Sequence, residues 1–304
     1  MLAEDRDGAR TGSLSALRIG ITLGVLSAVA FGTMPVFAKY AYDVGAEPIP
    51  LLAVRFTTAA LLLLLFVTIR REGWRLARPR ALKILLLGGL AYAFEATLYF
   101  AALERAPASI VALIFYSYPL WTNLSGFAIG LERFDPRLVV ALVLSGAGIL
   151  LIFSIPSTSL AGPLIALGAA LAVTIYYLFA QVLTQGMSPL AASIHTAGGA
   201  AISLTIVSGA TGARLPAGAI VWAICLGAVT AIAFACLYGA VTRIGAARTS
   251  IAHMLEPVTT VLLAALLLGE SLSMKIALGA LLVVSALPIL ATKDRRAPIE
   301  TPVA

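Results

Sequence analysis

Ten apolar runs, each near the roughly 20-residue length that crosses a ~30 Å hydrocarbon core as a helix, follow one another along this chain. They lie at 17–41, 49–69, 82–103, 108–130, 137–155, 160–181, 188–209, 219–242, 248–269 and 273–291. Backbone polar groups cannot be left unpaired in lipid, so runs of this length read as helices and not as open strands. Apolar residues make up 61% of the chain and charged ones 12%, against about a quarter charged in soluble domains. The expectation is an all-α membrane protein with ten transmembrane helices.

The first run ends its most apolar part at Ala28-Val29-Ala30, which resembles the small-residue site where a signal peptide is cut. The apolar stretch continues to Ala41, so it is expected to be retained as a span. Cys225 and Cys236 are the two cysteines. Eleven residues apart on one helix, they are separated by about 16 Å along its axis and cannot bond to each other.

The net charge of +7 is explained by where the cations lie. With the N-terminus in the cytoplasm, sixteen of the 21 Lys and Arg residues fall in inside segments. These are Arg6, Arg10 and Arg18; the six from Arg70 to Lys83; Arg133 and Arg137; Arg243 and Arg248; and Lys293, Arg295 and Arg296. Outside connections hold Arg105, Arg214 and Lys275, while Lys39 and Arg55 lie inside spans. By the positive-inside rule both termini are cytoplasmic. No aromatic-interleaved soluble domain accompanies the basic charge, so a nucleic acid is not an expected partner.

The chain also repeats. Residues 98–132 (LYFAALERAPASIVALIFYSYPLWTNLSGFAIGLE) resemble residues 237–270 (LYGAVTRIGAARTSIAHMLEPVTTVLLAALLLGE). Leu98-Tyr99 falls on Leu237-Tyr238 at an offset of 139, and Pro119 and Glu132 fall on Pro257 and Glu270 at 138. Gly24 with Gly162 and Pro50 with Pro189 extend the match upstream. The expected organisation is a cytoplasmic tail at 1–16, a five-helix unit at 17–155, a second at 160–291 and a cytoplasmic tail at 292–304. Five is odd, so the second unit enters the membrane from the opposite side, giving two inverted five-helix repeats. Halves so related can exchange conformations around a central hollow, which is the physical basis of alternating access.

Five stretches carry a resemblance to a family. They are FGTMPVFAKYA at 31–41, the Arg55-Phe56 pair, FYSYPLWTNLSGFAIGLERF at 115–134, LEPVTTVLLAALLLGESLS at 255–273, and the small-residue-rich last spans of each half. Together they resemble the drug/metabolite transporter superfamily, in particular its ten-helix EamA-type members. The resemblance implies a multi-pass carrier of the inner (plasma) membrane that exports small solutes, often amino acids or related metabolites. It says nothing specific about which solute.

Charge near the bilayer centre costs at least ~2.5–3.5 kcal/mol on insertion scales, so intramembrane polar residues usually face a cavity or a partner. Glu256, eight residues into the ninth run, sits near the midplane. At helical spacing Thr249, His253, Glu256 and Thr260 share one face. The repeat mates of Glu256 and Thr260 are Tyr118 and Thr122. Pro257 and Pro119 follow Glu256 and Tyr118, and each is expected to free a carbonyl one turn back, at His253 and Phe115. Glu256 and His253 are therefore candidate cavity residues, Glu256 holding a proton or meeting a solute's amino group. The alternatives are an interhelical hydrogen bond for Glu256 and simple hydration for His253.

A second candidate face is Tyr92, Glu95 and Tyr99 at i, i+3 and i+7, with a buried salt bridge from Glu95 to Arg55 or Lys39 as the alternative. Arg55 itself reads as a snorkelling arginine near the outer surface. Tyr116, Tyr118 and Asn123 in the fourth run, Tyr176, Tyr177 and Gln181 in the sixth, and Tyr238 in the eighth complete the candidates for stacking on or hydrogen-bonding a solute, together with Trp121. Interfacial aromatics are the competing reading. His195 has no partner readable from the sequence, and Glu132 and Glu270 read as solvated or capping residues at span ends.

There is no phosphate-binding loop to bring in a nucleotide, no Cys/His cluster for a metal and no GxSxG nucleophile elbow. Neither a cofactor nor an enzymatic activity is expected. The reading is a secondary-active transporter of small metabolites, with a small solute, the lipid bilayer and protons as coupling ion for partners. The sequence does not specify an oligomeric state. The alternative is a membrane-embedded enzyme or lipid-handling protein, which would bring a polar cluster at one interface.

Overall fold

The computed structural model describes residues 2–103, 105, 111, 114–131, 135–152, 160–268 and 274–290, and within them every regular element is helical. In chain order these are α1 (Leu2–Asp43), α2 (Pro48–Arg70), α3 (Arg78–Leu86), a π-helical segment (Leu87–Tyr92) and α4 (Ala93–Leu103). Then come α5 (Tyr118–Ala128), α6 (Pro136–Ile152), α7 (Ala161–Leu183), α8 (Pro189–Thr211), α9 (Ile220–Ala252), α10 (Leu255–Leu268) and α11 (Met274–Leu290). Among the described residues six helices are long and apolar enough to cross a membrane: Ser15–Asp43, Pro48–Arg70, Arg78–Ala102, Ala161–Leu183, Pro189–Thr211 and Ala217–Ala252. Shorter apolar helices occupy Pro136–Gly148, Leu255–Leu267 and Ala277–Ala286.

Local chemistry sets several boundaries. Proline opens α2 after the extended Glu47, and again opens α8 after the extended Ser188; its missing N–H would be unpaired in a first turn anyway. Gly212, at φ 69°, closes α8 in the left-handed conformation that glycine adopts without strain. Helix α9 is bent at Gly245, whose φ of 79° and ψ of 169° no helix contains. The Gln181 side-chain oxygen accepts from the N–H of Ala246 just beyond, capping the helical stretch that restarts there.

Large apolar side chains such as Leu61, Ile69 and Leu266 point outward, while small residues occupy the helix contacts. In lipid, apolar burial does not drive helices together, so association relies on close packing that small side chains permit. Helix α1 lies antiparallel to the first part of α9: Gly20 meets Ile244, Gly24 meets Ala240 and Val44 meets Gly218. The Ser27 hydroxyl donates to the Ala233 carbonyl at 2.8 Å in the same seam. Beyond the Gly245 bend the contacts run parallel, Gly24 meeting Ala252 at the end of α9 and Gly32 meeting Thr259 of α10.

The second half mirrors this pattern. Helix α7, the counterpart of α1, packs against the π-helical segment, α4 and α5, the counterparts of α9 and α10, while α2 packs on α8 and α6 on α11. Equivalent glycines make equivalent crossings 139 residues apart. A Cβ on Gly88 would strike the Thr196 carbonyl of α8, and one on Gly227 would strike Thr58 and the Arg55 carbonyl of α2. Exchanging the halves therefore maps the packing onto itself.

Candidate functional site

Both strongly polar segments of the interior sit beside interruptions in helical structure. Helix stops at Ala252, turns through His253 and Met254, and restarts at Leu255. In the first half the chain turns through Tyr116 and Ser117 and enters α5 at Tyr118. Each turn lies just before its proline, which cannot donate to the preceding turn. The expectation of a single helical face through Thr249, His253, Glu256 and Thr260 is corrected accordingly, because the break re-phases the helix beyond it. Thr249 is fully buried and its hydroxyl donates to the Gly245 carbonyl at 2.6 Å. The His253 carbonyl is not left free either: it accepts the Glu256 N–H at 2.9 Å in a tight turn.

Glu256 opens α10 with its side chain 20% exposed, and its carboxylate stands 3.9 Å from Nδ1 of His253. That same nitrogen is 3.1 Å from the Tyr177 hydroxyl of α7. His253 is 2% exposed, so hydration does not account for it. The Phe31 ring packs on it at 5.6 Å, and its Nε2 has no hydrogen-bond partner among the described residues. The Tyr116 hydroxyl is within reach of the Glu256 carboxylate, and the Arg55 guanidinium acts on it through space.

Glu95, in the first turn of α4, is 6% exposed and feels the charges of both Arg55 and Glu256. The expected alternative of a direct salt bridge does not form. Among the described residues the ion pairs are Arg70–Glu72, Arg248–Asp135 and His253–Glu256, and Lys39 is exposed. The π-helical segment just before α4 re-phases this helix. It also brings Tyr92 against Tyr176, with ring centroids 5.0 Å apart.

Aromatic rings join the carboxylates into one cluster built by both halves. Tyr99 packs on Phe115 at 4.8 Å, Phe115 on Tyr118 at 5.5 Å, and Tyr118 stacks on Tyr177 at 5.5 Å. Tyr92 and Tyr238 each pack on Phe234. Tyr176 and Tyr238 are bonded hydroxyl to hydroxyl at 3.1 Å, and Thr196 shares the Tyr238 hydroxyl. The sequence candidates Tyr92, Glu95, Tyr99, Tyr116, Tyr118, Tyr176, Tyr177, Tyr238, His253 and Glu256 therefore lie together.

Two candidates have their polar groups engaged in helix structure. The Asn123 amide donates to the Pro119 carbonyl at 2.7 Å. The Thr260 hydroxyl donates to the Gly32 carbonyl at 3.0 Å, fastening α10 to α1. His195 is similarly occupied, with Nδ1 2.8 Å from the Ala191 carbonyl and its ring against Trp74. Glu132 and Glu270 lie outside the described residues.

Arg55 is the residue whose surroundings the sequence misjudged. It does not snorkel to a surface: it is 7% exposed, its Nε donates to Thr230 Oγ1 of α9 at 2.7 Å, and its guanidinium lies over the Phe56 ring at 4.8 Å. The cost of an intramembrane arginine was the signal available in the sequence. Its partners come from a helix 175 positions away, which no local pattern reveals.

The comparisons with known proteins bear on the family and the fold. The EamA-like transporter family matches residues 18–154 and again residues 160–292, and the chain belongs to that family. A solved crystal structure is similar over 91% of this chain and 97% of its own, with a TM-score of 0.75 and 19% sequence identity, a likeness of fold. No curated protein sequence matches. The two matched segments make this a two-repeat, all-helical, multi-pass membrane protein of a transporter family, with a small solute and the lipid bilayer as its partners.

Proposed function

We propose that the chain is a secondary-active carrier of the inner (plasma) membrane that exports amino acids or related small metabolites by alternating access, coupled to protons. Ten spans in two inverted halves are the architecture proposed, with both termini cytoplasmic. The directions of packing support it. A helix that runs antiparallel to the span before Gly245 and parallel to the one after it occupies the place of span one in that scheme. The shorter helices α5, α6, α10 and α11 supply the remaining crossings.

One observation carries the reading. Glu95, buried, from one half and Glu256, its side chain 20% exposed, from the other stand at a shared aromatic cluster, beside breaks in both halves. Two carboxylates that repel one another in a medium of low dielectric favour taking up a cation. A proton or a solute ammonium serves. Because the two come from opposite halves, relative motion of the halves alters their separation, and so ties ion or solute occupancy to conformation.

The test is uptake or counterflow in proteoliposomes, screened over amino acids, their amines and related metabolites with and without an imposed pH gradient. Accumulation of one class, enhanced by the gradient, is expected. Absence of transport across that panel, or transport indifferent to the gradient, removes the carrier reading or its proton coupling respectively.

A further inference from the structure

Arg55 is a buried cation of the central cluster, and among the described residues Thr230 and Tyr92 are the groups its donors meet. A guanidinium has five N–H donors. Nε is spent on Thr230, and the Tyr92 hydroxyl faces the group. No carboxylate stands within ion-pair distance of it among the described residues, although it acts through space on both Glu95 and Glu256. A buried arginine is costly unless its donors are satisfied. This one is held in place from several sides. Its backbone carbonyl meets Gly227, its Nε is fixed by Thr230, and its plane rests on Phe56. Held in this way, it is a preorganised fork of the kind that recognises a carboxylate with two parallel bonds.

Charge balance narrows the ligand. The cluster carries one guanidinium and two carboxylates, drawn from both halves. A simple organic cation would suit Glu95 and Glu256 but would meet the repulsion of Arg55. A simple anion would suit Arg55 but would be repelled by two carboxylates. A solute bearing both an ammonium and a carboxylate puts each pole against its opposite, and a coupled proton on the second carboxylate then leaves the cluster neutral. Phe56, Tyr92 and Phe115 belong to the apolar core packed around these groups.

Resting on the carrier reading, we infer that Arg55 is the carboxylate-recognising residue of a zwitterion site, with Glu256 at the ammonium end. The second half has no equivalent, since Ile194 occupies the matching position at the 139-residue offset. Recognition of the carboxylate is therefore a single-sided device, made by α2 and braced by α9.

The experiment uses the full chain in proteoliposomes and compares each amino acid with its methyl ester, which keeps the ammonium and side chain but removes the carboxylate charge. Wild type is expected to carry the acid in preference to the ester. Arg55→Gln is expected to lower the acid-to-ester ratio about ten- to a hundredfold, the range of a charge-assisted hydrogen bond, while ester transport persists and reports a folded protein. Arg55→Lys keeps the charge without the fork, and an intermediate ratio is expected. It becomes the deciding variant if Arg55→Gln is not recovered folded, and an unchanged ratio in it overturns the assignment. A wild type that carries esters or decarboxylated amines as well as the acids overturns the Arg55 assignment and leaves the carrier reading standing. A wild type that carries nothing in the panel overturns both.

Discussion

The two halves of this protein share a frame and differ in chemistry. Both break their helices just before a proline, at Tyr116–Ser117 and at His253–Met254, and both seat a glycine against a neighbouring backbone, at Gly88 and at Gly227. At the breaks, however, the first half places Tyr118 where the second places Glu256, and one helix earlier it places Glu95 where the second places Phe234. Each half contributes one carboxylate, at a position where its mate has an aromatic ring. Under the proposed alternating access, packing needs symmetry because helices that exchange partners must fit in both arrangements. Binding of the proposed zwitterion does not, because its two ends differ. The third helix differs too: its π-helical segment has no counterpart in α9, which is α-helical from Ile220 to its bend at Gly245.

Changing the carboxylate at one break and the tyrosine at the other tests the chemical side of this comparison most severely. Glu256→Gln should reduce transport by about a hundredfold or more, the scale of removing one partner from a buried charged interaction, with protein still recovered from the membrane. Tyr118→Phe, at the equivalent position, should stay within about tenfold, since only a neutral hydroxyl is removed. Equal losses in the two variants would show that the asymmetry has no functional weight.

The shared frame is tested at the glycines. Gly88→Ala should destabilise the protein by about 3 kcal/mol or prevent its recovery, because the added methyl meets backbone, which cannot move aside. Gly227→Ala should cost less, about 1–2 kcal/mol, since part of its clash is with the Thr58 side chain. Thermal unfolding in detergent measures both. If either substitution is neutral, the mirrored crossings are not what holds the halves at their present distance.

The smallest effect compares two threonines at equivalent positions. Thr260 donates to Gly32 on α1 at 3.0 Å, whereas Thr122 meets Thr174 on α7 at 3.5 Å. Thr260→Val should cost about 1 kcal/mol of stability and Thr122→Val less, in line with the geometry of the two bonds. Transport by either variant should remain within about threefold of wild type, a change worth under ~1 kcal/mol. A larger loss for Thr260→Val would return that hydroxyl to the solute site.

Much of this arrangement is legible in the sequence. The apolar runs give helices because lipid permits no other single-chain element of that length, and the 138–139-residue offset gives the two halves. Glu95, Glu256 and their tyrosines stand out because polar residues in hydrocarbon are expensive, so the few present are informative. A continuous ninth helix is not what forms. A proline forbids one hydrogen bond, but where the chain then turns depends on what takes up the remaining backbone groups. Here the Glu256 N–H turns back onto the His253 carbonyl. Asn123 and Thr260 look like site residues by type, yet their bonds to nearby carbonyls emerge only once the helices are placed.

By itself, then, the sequence determined the apolar, helical character of the segments, the repeat, and which residues are too polar for lipid. Those follow from solvation, which acts residue by residue. Tertiary structure alone decided that Arg55 rests on Thr230 without a direct carboxylate partner, and that His253 is sealed between Phe31 and Tyr177. It also decided that Tyr176 and Tyr238 bond hydroxyl to hydroxyl at 3.1 Å. Those are relations between residues distant in the chain, and they exist only where close-packed small side chains let helices from both halves approach.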